Sequence, residues 1–301
     1  MEIKTAKSGF CVGIKRAYNG MNRIAKTREK VNVFHRVSTS AQAREWDTLR
    51  RIEKEDSELF EEYPNLVNVS VIDNPSMIKS GDDVVLGFHG IEKPVKEELL
   101  TKNVDIEDLQ CPFISRYNST LEELTSEGYN LIAFGRKDDH HCLDAQSVAK
   151  AYGRTCVTVE KPEDINHINF NAENKWACVG SVTGNTVLWK AVVSKLNENE
   201  IEIKIVETVC RDSFKRQDEA SQLSKEADIV LVVDDGGGAS TSVFEVCSSV
   251  NDTVYRVSSK EDVKIEWLKD ISSIAIVGGI LVPQWTIDEM ASYVNTLHSY
   301  Q

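Results

Sequence analysis

Three cysteines at nearly equal intervals, Cys11, Cys111 and Cys210, constrain this chain more than any other feature. The first lies in Ser8-Gly9-Phe10-Cys11-Val12-Gly13, with a glycine two residues away on either side. Glycines in that arrangement mark a tight bend or a close approach of backbone. From Ile14 to Ala25 the positions Ile14, Ala17, Tyr18, Met21 and Ile24 share one helical face. Cys11 therefore stands at a turn feeding a helix N-terminus, where peptide N–H groups and the helix dipole favour a thiolate. Cys111 and Cys210 each open a probable helix as well, and each of the three has a basic residue five positions on: Arg16, Arg116 and Lys215. The pattern predicts three equivalent lobes, each offering one thiolate to a common centre. Three thiolates suit an iron–sulfur cluster with one iron left open. Chance spacing among the 7 cysteines, or thiols simply buried in a core, would give the same pattern.

A chain of 301 residues exceeds a single small core, so two or three domains are expected. A net charge of −13 argues against a nucleic-acid binder and against an anionic membrane surface, while leaving room for a local pocket that takes an anion. No apolar run reaches the roughly 18 residues of a membrane span, and Met1-Glu2-Ile3-Lys4 lacks a signal-peptide core. With an odd cysteine count, this predicts a protein of the reducing cytoplasm.

Strand and helix patterns alternate along the whole chain, which predicts parallel sheets covered by helices on both faces, an α/β fold. Ligands of such sheets bind at loops leaving the carboxyl ends of strands. At those ends lie the His89-Gly90 tip in which the buried strand Val84–Gly90 ends, and the polar loop Gly135-Arg136-Lys137-Asp138-Asp139-His140-His141-Cys142. They also hold Gly180-Ser181-Val182-Thr183 and Asp234-Asp235-Gly236-Gly237-Gly238. The three consecutive glycines could cradle an anion through backbone N–H groups, or form a plain flexible turn. Residues 41–63 read as a helical, largely solvated excursion. Val67 to Ile72 reads as a strand. Cys156, Cys178 and Cys247 sit in apolar surroundings and are expected in the core. His167 and His298 are expected at the surface.

Gly9-Phe10-Cys11-Val12-Gly13, His89-Gly90, Cys111-Pro112 and Cys210 followed by Arg216-Gln217 resemble the LytB/IspH family, from about residue 3 to 295. Val277-Gly278-Gly279 before Pro283 falls at that family's C-terminal loop. Founding members are 4-hydroxy-3-methylbut-2-enyl diphosphate reductases of isoprenoid synthesis. The resemblance implies three αβ domains in a pseudo-threefold trefoil around a 4Fe-4S cluster, seen as 3Fe-4S after oxidation. The expected domains are 13–110, 111–209 and 210–301, with the N-terminal segment 1–12 packing on the third. Carried over, Cys11, Cys111 and Cys210 are the cluster ligands. An open iron is a Lewis acid for a substrate hydroxyl. Electrons from an external donor such as ferredoxin or flavodoxin, plus a proton donor, then break the C–O bond of a small-molecule substrate. The expected protein is an oxygen-sensitive oxidoreductase.

The pocket departs from the family pattern. Thr39 stands where a phosphate-binding histidine belongs, after His35. Asp139 replaces a second histidine and His141 replaces the family's catalytic glutamate. Thr183 closes a stretch that reads Thr-Gln-Thr-Thr in the family, Ser240 falls in the altered Ser-Ser-Asn phosphate loop, and Leu281 replaces a serine. His89 alone survives among the phosphate ligands. A lost hydrogen bond to a charged group costs about 1.5–3 kcal/mol, so two uncompensated losses weaken a diphosphate more than about a hundredfold. The substrate expected is therefore a small hydroxylated or thiolated molecule that is less anionic. His141 is the candidate general acid, with His89 or Asp139 orienting it, and Thr39, Thr183, Ser240, His35 and His89 as substrate-binding candidates. Two alternatives stand beside this one. The first is a genuine diphosphate reductase with a rearranged pocket. The second is a non-catalytic iron–sulfur sensor, in which Cys142 or a histidine closes the fourth iron.

Overall fold

The structure is a computed structural model and describes residues 1–7, 9–28, 30–34, 61–72, 74–91, 93–170, 174–199 and 201–299. In chain order the described elements begin with β1 (Glu2–Thr5), α1 (Val12–Ala25), β2 (Val31–Phe34), β3 (Val69–Ile72), β4 (Asp83–Leu86), α2 (Lys93–Thr101) and β5 (Asp105–Asp108). There follow α3 (Pro112–Ser126), β6 (Asn130–Phe134), α4 (His140–Ala151), β7 (Cys156–Val159), β8 (Trp176–Gly180), α5 (Thr186–Asn197) and β9 (Ile203–Val206). The last third carries α6 (Arg211–Lys225), β10 (Ile229–Val233), α7 (Gly238–Ser248), β11 (Val254–Val257), β12 (Ser273–Gly278) and α8 (Gln284–Ser299).

The strands form three parallel four-stranded sheets, ordered β3-β2-β4-β5, β7-β6-β8-β9 and β11-β10-β12-β1. Each sheet repeats one plan, in which the first strand of the lobe lies between its second and third. In the last sheet the chain's N-terminal strand supplies the fourth place, pairing Ile3 with Ile274. The α/β class expected from the alternation is the fold observed. The two-sided burial that parallel sheets require is plain in β10. Ile229, Leu231 and Val233 enter one apolar cluster with Ile274 and Ile276. Val230 and Val232 enter another with Ala275 and Val277.

By internal contacts the described chain divides into two compact units, Phe10–Ser115 and Met1–Gly9 with Arg116–Gln301. Three local expectations change. The strand expected from Val67 starts only at Val69, because Pro64–Asn68 forms a 3-10 turn. The strand expected to Gly90 ends at Leu86, and the tip turns back at Gly90 with φ +70°. The polar loop 135–142 is partly helix, since Asp139 caps α4 through the N–H of His141 and the helix begins at His140. The excursion expected over 41–63 falls almost wholly outside the described residues. No described helix is long and apolar enough to cross a membrane.

Candidate cluster ligands and proton-transfer site

In the unit Phe10–Ser115, Cys11 is the N-cap of α1, and its Sγ accepts a hydrogen bond from Ile14 N at 3.5 Å. A Cβ built on Gly13 would lie 2.7 Å from Cys111 Sγ and 3.8 Å from Cys11 Sγ. Both sulfurs thus flank one point on α1, and only a residue without a side chain leaves them that space. Cys111 is fixed from the sheet side: its N–H donates to Phe88 O at 2.8 Å, just past β4. His89 follows, half-buried, with its ring 4.1 Å from that of Phe88 and its carbonyl accepting from Gln110 Nε2 at 3.3 Å. The bend at Gly90 lets Gln110 approach, since a Cβ there would meet Gln110 Nε2 at 2.2 Å. Cys11, Cys111 and the His89 tip therefore gather at the carboxyl end of β4.

In the other unit, Cys210 is the N-cap of α6, and its N–H donates to Val182 O at 2.9 Å. The start of α6 is locked by two buried side chains. Arg216 donates to Gly9 O at 2.6 Å and to Asp212 at 3.0 Å. Gln217 accepts from Thr186 N and donates to Gly184 O, both at 2.9 Å. The loop that receives Cys210 is the one after β8, and it also carries Ser181.

Ser181 joins a fully buried polar set. Its hydroxyl donates to Asp139 Oδ2 at 2.8 Å, while His141 Nδ1 lies 3.2 Å from both Asp139 Oδ1 and Ser181 Oγ. An ionised carboxylate only accepts, so the network assigns a proton to Nδ1. Nε2 of His141 then faces away, with no hydrogen-bond partner among the described residues, on a side chain 2% exposed. Tyr117 holds the backbone by donating to His141 O at 2.7 Å and packs edge-on against its ring. Gly135, at φ +151°, permits the crossing, because a Cβ there would meet Cys142 Sγ at 2.7 Å and Ser181 Cβ at 3.0 Å. Burial raises the Asp139 carboxyl, but the hydrogen bond from His141, the charges of His141 and His140, and the Ser181 hydroxyl more than offset it. The carboxyl is held well below the usual carboxylate range and stays ionised.

The loop after β10 meets this region where Arg136 Nη1 donates to Gly238 O at 3.4 Å. Two of its three glycine N–H groups are already taken. Gly236 N donates to Asp234 Oδ1 at 2.9 Å, and Gly237 N to Asp235 Oδ1 at 2.8 Å. Ser240 is buried and donates to the same Asp235 oxygen at 2.8 Å. The segment is thus a carboxylate-capped turn into α7, with the N–H groups of Gly236 and Gly237 closed to an anion.

The thiols separate into two sets. Cys11, Cys111 and Cys210 each stand immediately before a helix. Burial pushes the Cys247 thiol up to about 11 and Cys156 up to about 12, and raises Cys142 and Cys178 as well. Those four stay protonated at neutral pH and are poor metal ligands. Cys142 in particular is fully buried with Sγ 4.0 Å from Ala133 O, in the core under β6. The set expected from the sequence fits a thiolate-ligated cluster: cysteines at helix starts, outside any disulfide, with a glycine-made space between two of them. Asp139, His140 and His141 also offer ligand atoms within 4.8 Å of one another.

Of the candidates, Cys11, Cys111 and His89 come together in one unit. Asp139 and His141 come together with the Cys210 turn in the other. Thr183 lies half-buried on the same loop as Ser181, Ser240 belongs to the Asp235 cap, and His35 and Thr39 lie outside the described residues. Sequence reasoning missed Ser181 and Asp235 as participants. His167 is exposed as expected, whereas His298 is only half-exposed.

A family model described as LytB protein matches residues 3–295. Among curated proteins, the 4-hydroxy-3-methylbut-2-enyl diphosphate reductase of Nitratiruptor sp. is 27% identical over 299 residues, 99% of each chain. That of Helicobacter pylori is 28% identical over 301 residues, 99% of this chain and 100% of its own. Among solved structures, the E-1-hydroxy-2-methyl-but-2-enyl-4-diphosphate reductase from Plasmodium falciparum matches with TM-score 0.78 at 17% identity, over 97% of this chain and 87% of that one. A second, (E)-4-hydroxy-3-methyl-but-2-enyl diphosphate reductase, matches with TM-score 0.59 at 22% identity, over 98% of this chain and 100% of that one.

Proposed function

Because the chain belongs to the LytB family, we propose that it is an iron–sulfur reductase that removes a hydroxyl group from a small molecule less anionic than a diphosphate. Cys11, Cys111 and Cys210 would hold a 4Fe-4S cluster. When bound, the cluster supplies electrons and, at an iron without a protein thiolate, a Lewis acid. The reaction takes two electrons and two protons: the C–O bond breaks, a C–H bond forms and the oxygen leaves as water.

The chain's own residues handle the proton. Asp139 accepts from Nδ1 of His141 and fixes which nitrogen faces outward, as a carboxylate does behind many functional imidazoles. A protonated Nε2 delivers to the leaving oxygen, and the neutral ring is recharged from solvent past the half-exposed His140. Ser181 holds the second carboxylate oxygen, so Asp139 cannot rotate away. The observation that carries this reading is the buried Asp139–His141–Ser181 set, whose Ser181 lies on the loop to which Cys210 is hydrogen bonded.

Charge supports a less anionic substrate. Asp139 is ionised and buried, and the N–H groups of Gly236 and Gly237 are satisfied by the chain's own carboxylates. A diphosphate entering there would have to displace those bonds and face that charge.

A second reading, a diphosphate reductase like the relatives, is favoured by the end-to-end similarity to such enzymes. Anaerobically reconstituted protein with a reduced mediator separates the two. Turnover of 4-hydroxy-3-methylbut-2-enyl diphosphate is compared with that of its dephosphorylated alcohol and of other small allylic alcohols. The proposal expects kcat/KM on an uncharged alcohol to equal or exceed that on the diphosphate. A preference for the diphosphate of a hundredfold or more would overturn it in favour of the second reading.

A further inference from the structure

We infer, on the premise of the cluster reading, that the outward face of α1 beside Cys11 is the docking surface for an acidic one-electron carrier protein. The chain as a whole is acidic, with 48 Asp and Glu against 35 Lys and Arg. Yet between Glu2 and Glu29 it holds Lys4, Lys7, Lys15, Arg16, Arg23, Lys26 and Arg28 and no acidic residue. The structure sorts the cations of this helix by position. At its C-terminal end Arg23 pairs with Glu107 at 2.7 Å, and Arg28 pairs with Asp83 and with Asp105 at 3.4 Å. Near its N-terminal end Lys15 and Arg16 are exposed, and no carboxylate neutralises either among the described residues. Among the described residues Arg16 donates only to a backbone carbonyl, Gln110 O, at 2.9 Å.

Two unneutralised cations there are unfavourable within the chain itself. The helix N-terminus is already the positive end of the dipole, and the first turn holds no acid to oppose it. The result is a local positive field on an acidic protein, which favours an acidic partner and repels a basic one. An apolar centre lies within it: Val12, directly after Cys11, is 58% exposed. An apolar contact beside exposed cations suits a transient, electrostatically steered interface. Cys11 is also the half-buried member of the three thiols, whereas Cys111 and Cys210 are each 8% exposed.

The test uses the reconstituted holoenzyme at low ionic strength, with stopped-flow reduction by an acidic flavodoxin and, separately, by photoreduced deazariboflavin, which is uncharged. Lys15→Glu is compared with Lys150→Glu, an equal charge change on the exposed last turn of α4. Lys15→Glu should slow reduction by flavodoxin about fivefold to tenfold more than Lys150→Glu does, with the gap closing at high salt. Reduction by deazariboflavin should be equal in all three proteins. Equal effects of the two variants on the flavodoxin rate, with a cluster present and reducible by deazariboflavin, overturn the docking face alone. A flavodoxin effect of Lys15→Glu that accompanies a changed oligomeric state in sedimentation assigns the face to a second copy and also overturns it. Failure of the wild type to assemble any cluster removes the cluster reading, and the docking proposal with it.

Discussion

Gly13→Ala probes the point on which Cys11 and Cys111 converge. The added methyl would stand 2.7 Å from Cys111 Sγ, 3.2 Å from Cys111 Cβ and 3.8 Å from Cys11 Sγ. Non-bonded heavy atoms settle at about 3.5–4.0 Å, so the Cys111 sulfur must retreat by about 1 Å. It has little freedom to do so, because its N–H is bonded to Phe88 O and Pro112 follows it. Overpacking of this kind costs about 1–3 kcal/mol, and replacing a helical glycine by alanine returns about 0.5–1 kcal/mol. The apoprotein should therefore fold, with a loss of about 2.5 kcal/mol or less. Metal sites tolerate ligand displacements of only about 0.2 Å, so the cluster should not survive the same change. Gly20→Ala is the matched control on the same helix. Its Cβ would meet the methyls of Leu109 at 2.6 and 2.8 Å, the flexible end of a side chain, with no sulfur among the three nearest atoms. The assay is iron and sulfide per chain after anaerobic reconstitution, beside circular dichroism of the apoproteins. Gly13→Ala should keep its helical signal and lose most of its iron, while Gly20→Ala keeps both. A full iron complement in Gly13→Ala would refute the reasoning.

Three further outcomes are expected. His141→Gln and Asp139→Asn should each lower turnover by about a hundredfold to ten-thousandfold with the visible spectrum of the cluster intact; unchanged turnover removes the proton-transfer assignment. Asp139 is held below its unfolded value of about 3.9, so its contribution to stability is present above that pH and is lost as pH falls through the lower folded value. Urea midpoints of the wild type should thus drop steeply below about pH 4, and Asp139→Asn should flatten that decline; parallel curves would contradict it. In the apoprotein at mildly alkaline pH, iodoacetamide should modify Cys11 first and spare Cys142, Cys156, Cys178 and Cys247, whose thiols burial keeps protonated. Native-state modification of Cys142, read by mass spectrometry, would show that its burial has been misjudged.

Much of this architecture was legible because it rests on local signals. The glycine-flanked Cys11, the Cys111-Pro112 pair and the Cys210 helix are patterns of residue type at fixed spacing, and all three cysteines stand at helix starts. The repeated sheet order was implied only loosely, as alternation, because strand order depends on contacts far apart in sequence. The run Gly135–Cys142 was misread because its polar composition resembles a loop. The missed signal was Asp139 itself, an N-cap residue ahead of the periodic Cys142, Ala145 and Ala149. The glycine run before α7 was ambiguous for a different reason. Whether its N–H groups are open or bonded to Asp234 and Asp235 is a matter of side-chain rotamers. Ser181 carried no local mark, and its role arises only where β8 ends beside Asp139.

Mössbauer spectroscopy of anaerobically purified protein, enriched in the Mössbauer-active iron isotope and set beside a Cys111→Ala variant, tests the central claim most directly. The account predicts a four-iron cluster with one iron site distinct from the other three, lost or degraded in the variant. Four equivalent irons would contradict the open site and require a fourth thiolate. No cluster iron at all would contradict the assignment of Cys11, Cys111 and Cys210.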